Sequence, residues 1–258
     1  MFKTLIIFVI FAYLFFAMIA YFFADKIIFP APRSSYQDTV NILKLKTKDG
    51  AVISAVYLPN KNSKYVMLFS HGNAEDLGDM LPFLRDIVAQ GFSVFSYDYH
   101  GYGTSSGKPT EQHVYEDINA AYDYLINTLN IPPKHIIVFG RSIGAAVAID
   151  LAVRQPVAGL IVQSGFVTAF RVLTRVPLLP FDKFNNLNKI AQVSCPALII
   201  HGTKDTIVPF WHGKKLFETV QTPKQHLWIK GADHNDPIWE IDPHYWDVIR
   251  GFVGKIGG

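Results

Sequence analysis

Cysteine is almost missing from this sequence: Cys195 is the only one in 258 residues. That excludes an intramolecular disulfide and leaves a thiolate zinc site without ligands, and no metal site is expected. No Asn-x-Ser/Thr sequon occurs either. Charge is sparse, at 17% of residues, and nearly balanced: 24 basic against 21 acidic side chains, a formal net of +3. No Lys/Arg run of the nucleic-acid-binding kind is present, so nucleic acid is not an expected partner. The one basic cluster, Lys44, Lys46 and Lys48, alternates along a strand-like run and reads as a solvated face. The 15 prolines and 18 glycines are scattered, with no low-complexity tract and no internal repeat.

What is abundant is apolar surface, half of all residues, and its densest run comes first. Leu5 to Ala24 carries no charge. As a helix rising about 1.5 Å per residue it would span about 30 Å, the hydrocarbon thickness of a bilayer. A cleaved signal peptide would have a shorter apolar region and a small-residue cleavage site, and Tyr21, Phe22 and Phe23 crowd the best candidate position here. Residues 1–26 are therefore expected to be a single-pass membrane anchor, with the lipid bilayer as a partner. Its orientation is not readable from so few flanking lysines and arginines. The segment that follows, with Pro30 and Pro32, reads as a short stiff linker.

Residues 27–258 are expected to form one domain. Two β-rich runs, 42–47 and 51–58, flank Asp49-Gly50, a hairpin signal. Continuous apolar runs at 65–70, 92–98, 135–140, 160–163, 197–201 and 225–230 read as strands, the continuous ones as strands buried on both faces. Helical patterns cover 78–90, 110–129, 143–154, 209–220 and 243–256. Strands alternating with helices imply a mostly parallel sheet with helices on both faces, the opening hairpin adding antiparallel strands at one edge. About thirty residues between the strands ending near Gln163 and starting near Ala197 hold no clear strand and many apolar side chains. They read as a small cap, about 165–192, over the carboxyl ends of the strands, where ligands bind in such sheets.

Gly140-Arg141-Ser142-Ile143-Gly144 matches G-x-S-x-G, after a predicted strand and opening a predicted helix, the context of a nucleophile elbow in the α/β-hydrolase fold. Ser142 needs a base to take its proton, and in this fold acid and histidine follow the serine in that order. Asp205, in the loop after the 197–201 strand, and His234, in the polar loop after the 225–230 strand, satisfy that order and are the expected acid and base. Asp98 precedes the serine and is expected to brace a loop. Oxyanion donors are expected at the backbone N–H of Ile143, after the nucleophile, and at Asn73 in the Ser70-His71-Gly72-Asn73-Ala74 loop. His71 is expected to be structural. Apolar cap residues, Phe166, Phe170 and Leu178 foremost, are candidates to line an acyl groove.

The stretches LFSHGNAEDLGDM, FSYDYHGYGTSSGKP, GRSIG, PALIIHGTKD and GADHND, in this order across residues 68–236, resemble the α/β-hydrolase-domain proteins that act as protein depalmitoylases, and related membrane-associated bacterial hydrolases. The resemblance implies hydrolysis of acyl esters or thioesters without metal or other cofactor, on substrates that include lipidated proteins, and assigns Ser142, Asp205 and His234 to a triad. This chain departs from the depalmitoylases at its start: no cysteine precedes Cys195, where they carry a cluster that is lipidated, and an apolar helix stands instead. Monoacylglycerol or lysophospholipid lipase and small-ester carboxylesterase are the neighbouring activities. A silent membrane scaffold on the same fold is the non-enzymatic alternative.

Overall fold

The computed structural model describes residues 2–256. Eight strands form one sheet: β1 (Leu43–Lys46), β2 (Val52–Leu58), β3 (Val66–Ser70), β4 (Ser93–Tyr97), β5 (Ile136–Arg141), β6 (Gly159–Gln163), β7 (Ala197–Gly202) and β8 (Lys224–Ile229). Their spatial order is β1-β2-β4-β3-β5-β6-β7-β8. β1 and β2 pair antiparallel around a turn with Gly50 at φ +93°, β2 pairs antiparallel with β4, and every later pairing is parallel. The expected α/β-hydrolase architecture is what the chain adopts.

The helices are α1 (Phe2–Ile28), α2 (Leu77–Ala89), α3 (Glu111–Asp123), α4 (Ile143–Arg154), α5 (Asn186–Ile190), α6 (Trp211–Thr219), α7 (Ile238–Ile241) and α8 (Tyr245–Ile256). The parallel strands explain their own unbroken hydrophobicity. Successive residues point to opposite faces, and both faces are covered. Leu68, Val138, Val162 and Ile199 pack with α3, α4 and α6, while Met67, Phe69, Ile137 and Leu198 pack with α2, α7 and α8. The helix expected over 110–129 changes character at its end: α3 stops at Asp123 and the chain continues as a π turn, Tyr124–Thr128, closed by Leu129 N–H to Tyr124 O. The cap, expected without strands, contains the short α5 and a 3₁₀ turn, Phe170–Val172.

α1 is long and apolar enough to cross a membrane, with a mean hydropathy of 2.7 over an 18-residue window. It runs past the expected boundary to Ile28, and the linker reading for residues 27–38 needs correction. Phe29 is buried against Phe184. Ser35 binds the Asp76 carboxylate through its amide (2.7 Å) and its hydroxyl, and Tyr36 donates its hydroxyl to Asp98. What fixes the segment is this set of bonds to the loops at the carboxyl ends of β3 and β4.

Candidate active site

Ser142 sits between β5 and α4 with φ +55° and ψ −117°. A non-glycine residue in that region is strained and persists only where its surroundings hold it. The surroundings are backbone on every side. Ser142 N–H donates to Gln163 O on β6 (2.9 Å). A Cβ on Gly140 would strike the Gly144 carbonyl, and one on Gly144 would strike the carbonyls of Ser70 and His71. Both motif glycines are thus required by close approach, and the turn between them lifts the serine above the sheet.

The loops after β7 and β8 deliver the other two groups. His234 Nε2 lies 3.1 Å from Ser142 Oγ, and His234 Nδ1 lies 2.8 Å from Asp205 Oδ2. The other Asp205 oxygen accepts the N–H groups of Ile207 (3.1 Å) and Val208 (2.7 Å), which fixes the carboxylate in one orientation. Asp205 and His234 are both buried, whereas Ser142 is half-exposed to the pocket. The three residues selected from sequence therefore form one hydrogen-bonded chain. Asp233 turns the other way, accepting from Thr206 and from the His234 amide.

Sequence reasoning missed Arg141, Glu75 and His201. Arg141 forms an ion pair with Glu75 and donates to His234 O (3.2 Å), and Glu75 accepts Gly72 N–H (2.8 Å). His201 lies 3.4 Å from Asp205 Oδ2 and donates Nε2–H to Val208 O (2.8 Å). Burial holds His201 below the ordinary histidine range, so it stands neutral beside the carboxylate.

The loop carrying Asn73 is fixed from below. Tyr99 donates to His71 O (2.7 Å) and Tyr102 to Asn73 O (2.8 Å). His71 is fully buried, with Nδ1 2.7 Å from Gly72 O and Nε2 3.3 Å from Asp98. Burial opposes its charge, but the Asp98 carboxylate outweighs this and raises its pKa. Asp98 also accepts Leu77 N–H (2.9 Å) and is the loop brace the sequence suggested. The Asn73 side chain donates to Ile28 O (3.0 Å), at the end of α1. Among the described residues, the backbone N–H groups of Asn73 and Ile143 form no hydrogen bond with protein.

Ser142, Ile143, Asn73 and His234 open into a cavity of about 420 Å³, walled by Phe166, Ala169, Val172, Leu173, Ile207 and Val208 from one side and by Ile27 and Ile28 of α1 from the other. Of the three cap residues named from sequence, only Phe166 lines this cavity. Phe170 and Leu178 line an adjoining one of about 510 Å³ between the cap and α1. Phe184, also in the apolar run of the cap, is fully buried core.

Comparison with known proteins agrees with this geometry. A family model described as serine aminopeptidase, S33, matches residues 61–181. Alpha/beta hydrolase domain-containing protein 17B of Homo sapiens is 40% identical over 226 residues, covering 86% of this chain and 78% of that protein. Its Xenopus tropicalis counterpart is 40% identical over 224 residues, covering 85% and 77%. Among solved structures, a Pyrococcus furiosus esterase superposes with a TM-score of 0.73 at 20% identity, over 87% of this chain and 95% of its own, a likeness of fold. With the elbow, the sheet order and relatives of this identity in agreement, the chain belongs to the α/β-hydrolase family, beside the alpha/beta hydrolase domain-containing 17 proteins, and is a hydrolase.

Proposed function

We propose that this chain is a membrane-anchored serine hydrolase that cleaves acyl esters or thioesters through an acyl-enzyme. The observation that carries the reading is the Ser142–His234–Asp205 chain at the floor of an apolar cavity. Ser142 Oγ attacks the acyl carbonyl while His234 Nε2 takes its proton. Asp205 holds the imidazole with Nδ1–H toward the carboxylate and stabilises the imidazolium. The oxyanion forms between the N–H groups of Ile143 and Asn73, and that of Ile143 also stands at the N-terminus of α4, whose dipole favours negative charge. His234 returns the proton to the departing thiol or alcohol. A water activated by the same imidazole then attacks the acyl-serine and releases the free acid. This route requires no metal or cofactor.

The apolar cavity favours a long acyl chain, and the similarity to the domain-containing 17 proteins, together with the resemblance to protein depalmitoylases, favours a lipidated protein as its carrier. α1 supports residence at a bilayer. The deciding experiment is fluorophosphonate labelling beside turnover of a palmitoylated peptide and of a monoacylglycerol. Ser142→Ala should abolish labelling and both turnovers. Labelling that survives the substitution overturns the assignment, and a strong preference for the glycerol ester identifies a lipase instead. Carbonate washing of membranes should leave the full-length chain bound, and its release would contradict the anchor.

A further inference from the structure

The cavity above Ser142 and the cavity between α1 and the cap adjoin along Ile27, Ile28, Ala169 and Leu173, and together they outline a groove. Its outer part takes one wall from α1: Tyr13, Phe16, Ala20, Ala24 and Ile27, spaced as one face of a helix. The other wall is the cap, through Phe170, Leu173, Leu178, Leu179 and Phe181.

The cap meets α1 in register. Lys183 pairs with Asp25 (3.1 Å), Phe181 packs edge-on to Tyr21 (5.5 Å between ring centres), and Leu178 O accepts the Tyr13 hydroxyl (3.1 Å). From Asp25 to Tyr13 the helix rises about 18 Å. From Lys183 to Leu178 an extended chain covers about 17 Å. The cap segment therefore lies as a strap antiparallel to α1, along the half of the helix that would sit inside a bilayer.

The strap is suited to lipid. Pro177 and Pro180 have no N–H to leave bare, and the Leu178 carbonyl has Tyr13 as its donor. The cap tip is apolar and open, with Leu173 88%, Val176 58% and Leu178 60% exposed. A patch of this kind is unusual on a surface that faces water. In a bilayer spanned by Leu5–Ala24 the Asp25–Lys183 pair would stand at the headgroup level. Arg175 is the exposed charge of the tip, and its long apolar stem can lie along this surface.

We infer that α1 is a wall of the substrate site as well as an anchor: the acyl chain of a bilayer-resident ester or thioester enters laterally from the leaflet, between α1 and the strap, and runs to Ser142. This rests on the reading of Ser142 as the acylated serine. The occupant is an acyl chain because the groove leads to that hydroxyl and its walls between α1 and the cap are mainly apolar.

The test uses the full-length protein in phosphatidylcholine vesicles. Ala20→Phe fills the groove from the helix side. The ratio of kcat/KM for a palmitoyl over an acetyl thioester of one short peptide should fall roughly a hundredfold, at about fourfold for each methylene shut out. Phe22→Ala, on the opposite side of the helix, should leave the ratio where it was. An unchanged ratio in Ala20→Phe, or an equal loss on both substrates, overturns the groove assignment. Ser142→Ala separates the two claims: acetyl turnover that survives it defeats the hydrolase reading itself, whereas its loss beside an unchanged Ala20→Phe ratio defeats only the groove. Leu178→Trp gives a measurement independent of whether Ala20→Phe folds. Lipids brominated on their acyl chains should quench its fluorescence beyond that of the four native tryptophans, and no added quenching would remove the strap from the bilayer.

Discussion

Arg141 and Glu75 form an ion pair that joins the two sides of the site. Glu75 holds Gly72 N–H (2.8 Å), next to the proposed oxyanion donor Asn73, while Arg141 holds the carbonyl of His234 (3.2 Å). The pair lies at the edge of the cavity above Ser142 and ties the His234 loop to the Gly72–Asn73 loop, so both are read as positioning residues. Glu75→Gln should lower kcat by roughly 10–100-fold, the scale of a misplacement of about an ångström, with little change in KM. Arg141→Lys should not rescue the loss, because one ammonium cannot reproduce the guanidinium fork. Steady-state kinetics on a short soluble ester checks both.

The triad makes a steeper prediction. Ser142→Ala and His234→Ala should each lower kcat by about 10⁶-fold, and Asp205→Asn by about 10⁴-fold. The circular dichroism spectrum should be unchanged for all three. A nearly active Asp205→Asn would place the acid elsewhere.

Gly144 has no room for a side chain, and the obstacles are main-chain carbonyls of Ser70 and His71 that no rotamer can move. Gly144→Ala should destabilise the fold by about 1–3 kcal/mol. It should cost activity beyond that by tilting the elbow. Urea denaturation measures the first effect, and the labelling rate of the folded fraction measures the second.

His212 is the clearest source of acid sensitivity. It is buried behind the base of the cap, where Val167 N–H donates to its Nδ1 (3.2 Å), and burial pulls its pKa down to about 4. His201 nearby adds to the depression, while a hydrogen bond to the Arg171 main chain opposes it. The unfolded histidine titrates near 6.5. As pH falls from about 6.5 toward 4 the unfolded chain binds a proton that the folded chain refuses, so stability falls with acidification across that window. His212→Gln keeps an acceptor for Val167 and removes the titration. The drop in Tm between pH 7 and pH 5 should be smaller in this variant than in the wild type, and an equal drop would assign the sensitivity to His201 or another group.

Residues whose role depends on local pattern were legible in the sequence. The buried strands announce themselves as unbroken apolar runs because both faces of the sheet are covered. Ser142, Asp205 and His234 are legible because each follows a strand in a fixed order. Arg141 and Glu75 are not, since their meaning arises only when loops 66 residues apart meet. Nor was the contact face of α1 legible. A helix apolar all round has no stripe to show which side meets protein, and its only clue was the small side chains of Ala20 and Ala24, one helical step apart. For the same reason the cap candidates were only partly placed. Phe166, Phe170 and Leu178 all line the groove, but hydrophobicity could not tell its inner from its outer part, or either from the core position of Phe184.

The Tyr13–Leu178 bond joins residues 165 positions apart. At synthesis rates of about 5–20 residues per second, the helix is made on the order of ten to thirty seconds before the strap that covers it. Throughout that interval one wall of the groove has no partner. In water such a face invites aggregation, whereas among lipid tails it is already solvated. The chain can therefore leave that wall open until the cap emerges and covers it, while β7, β8 and the loops that carry Asp205 and His234 are still to be made.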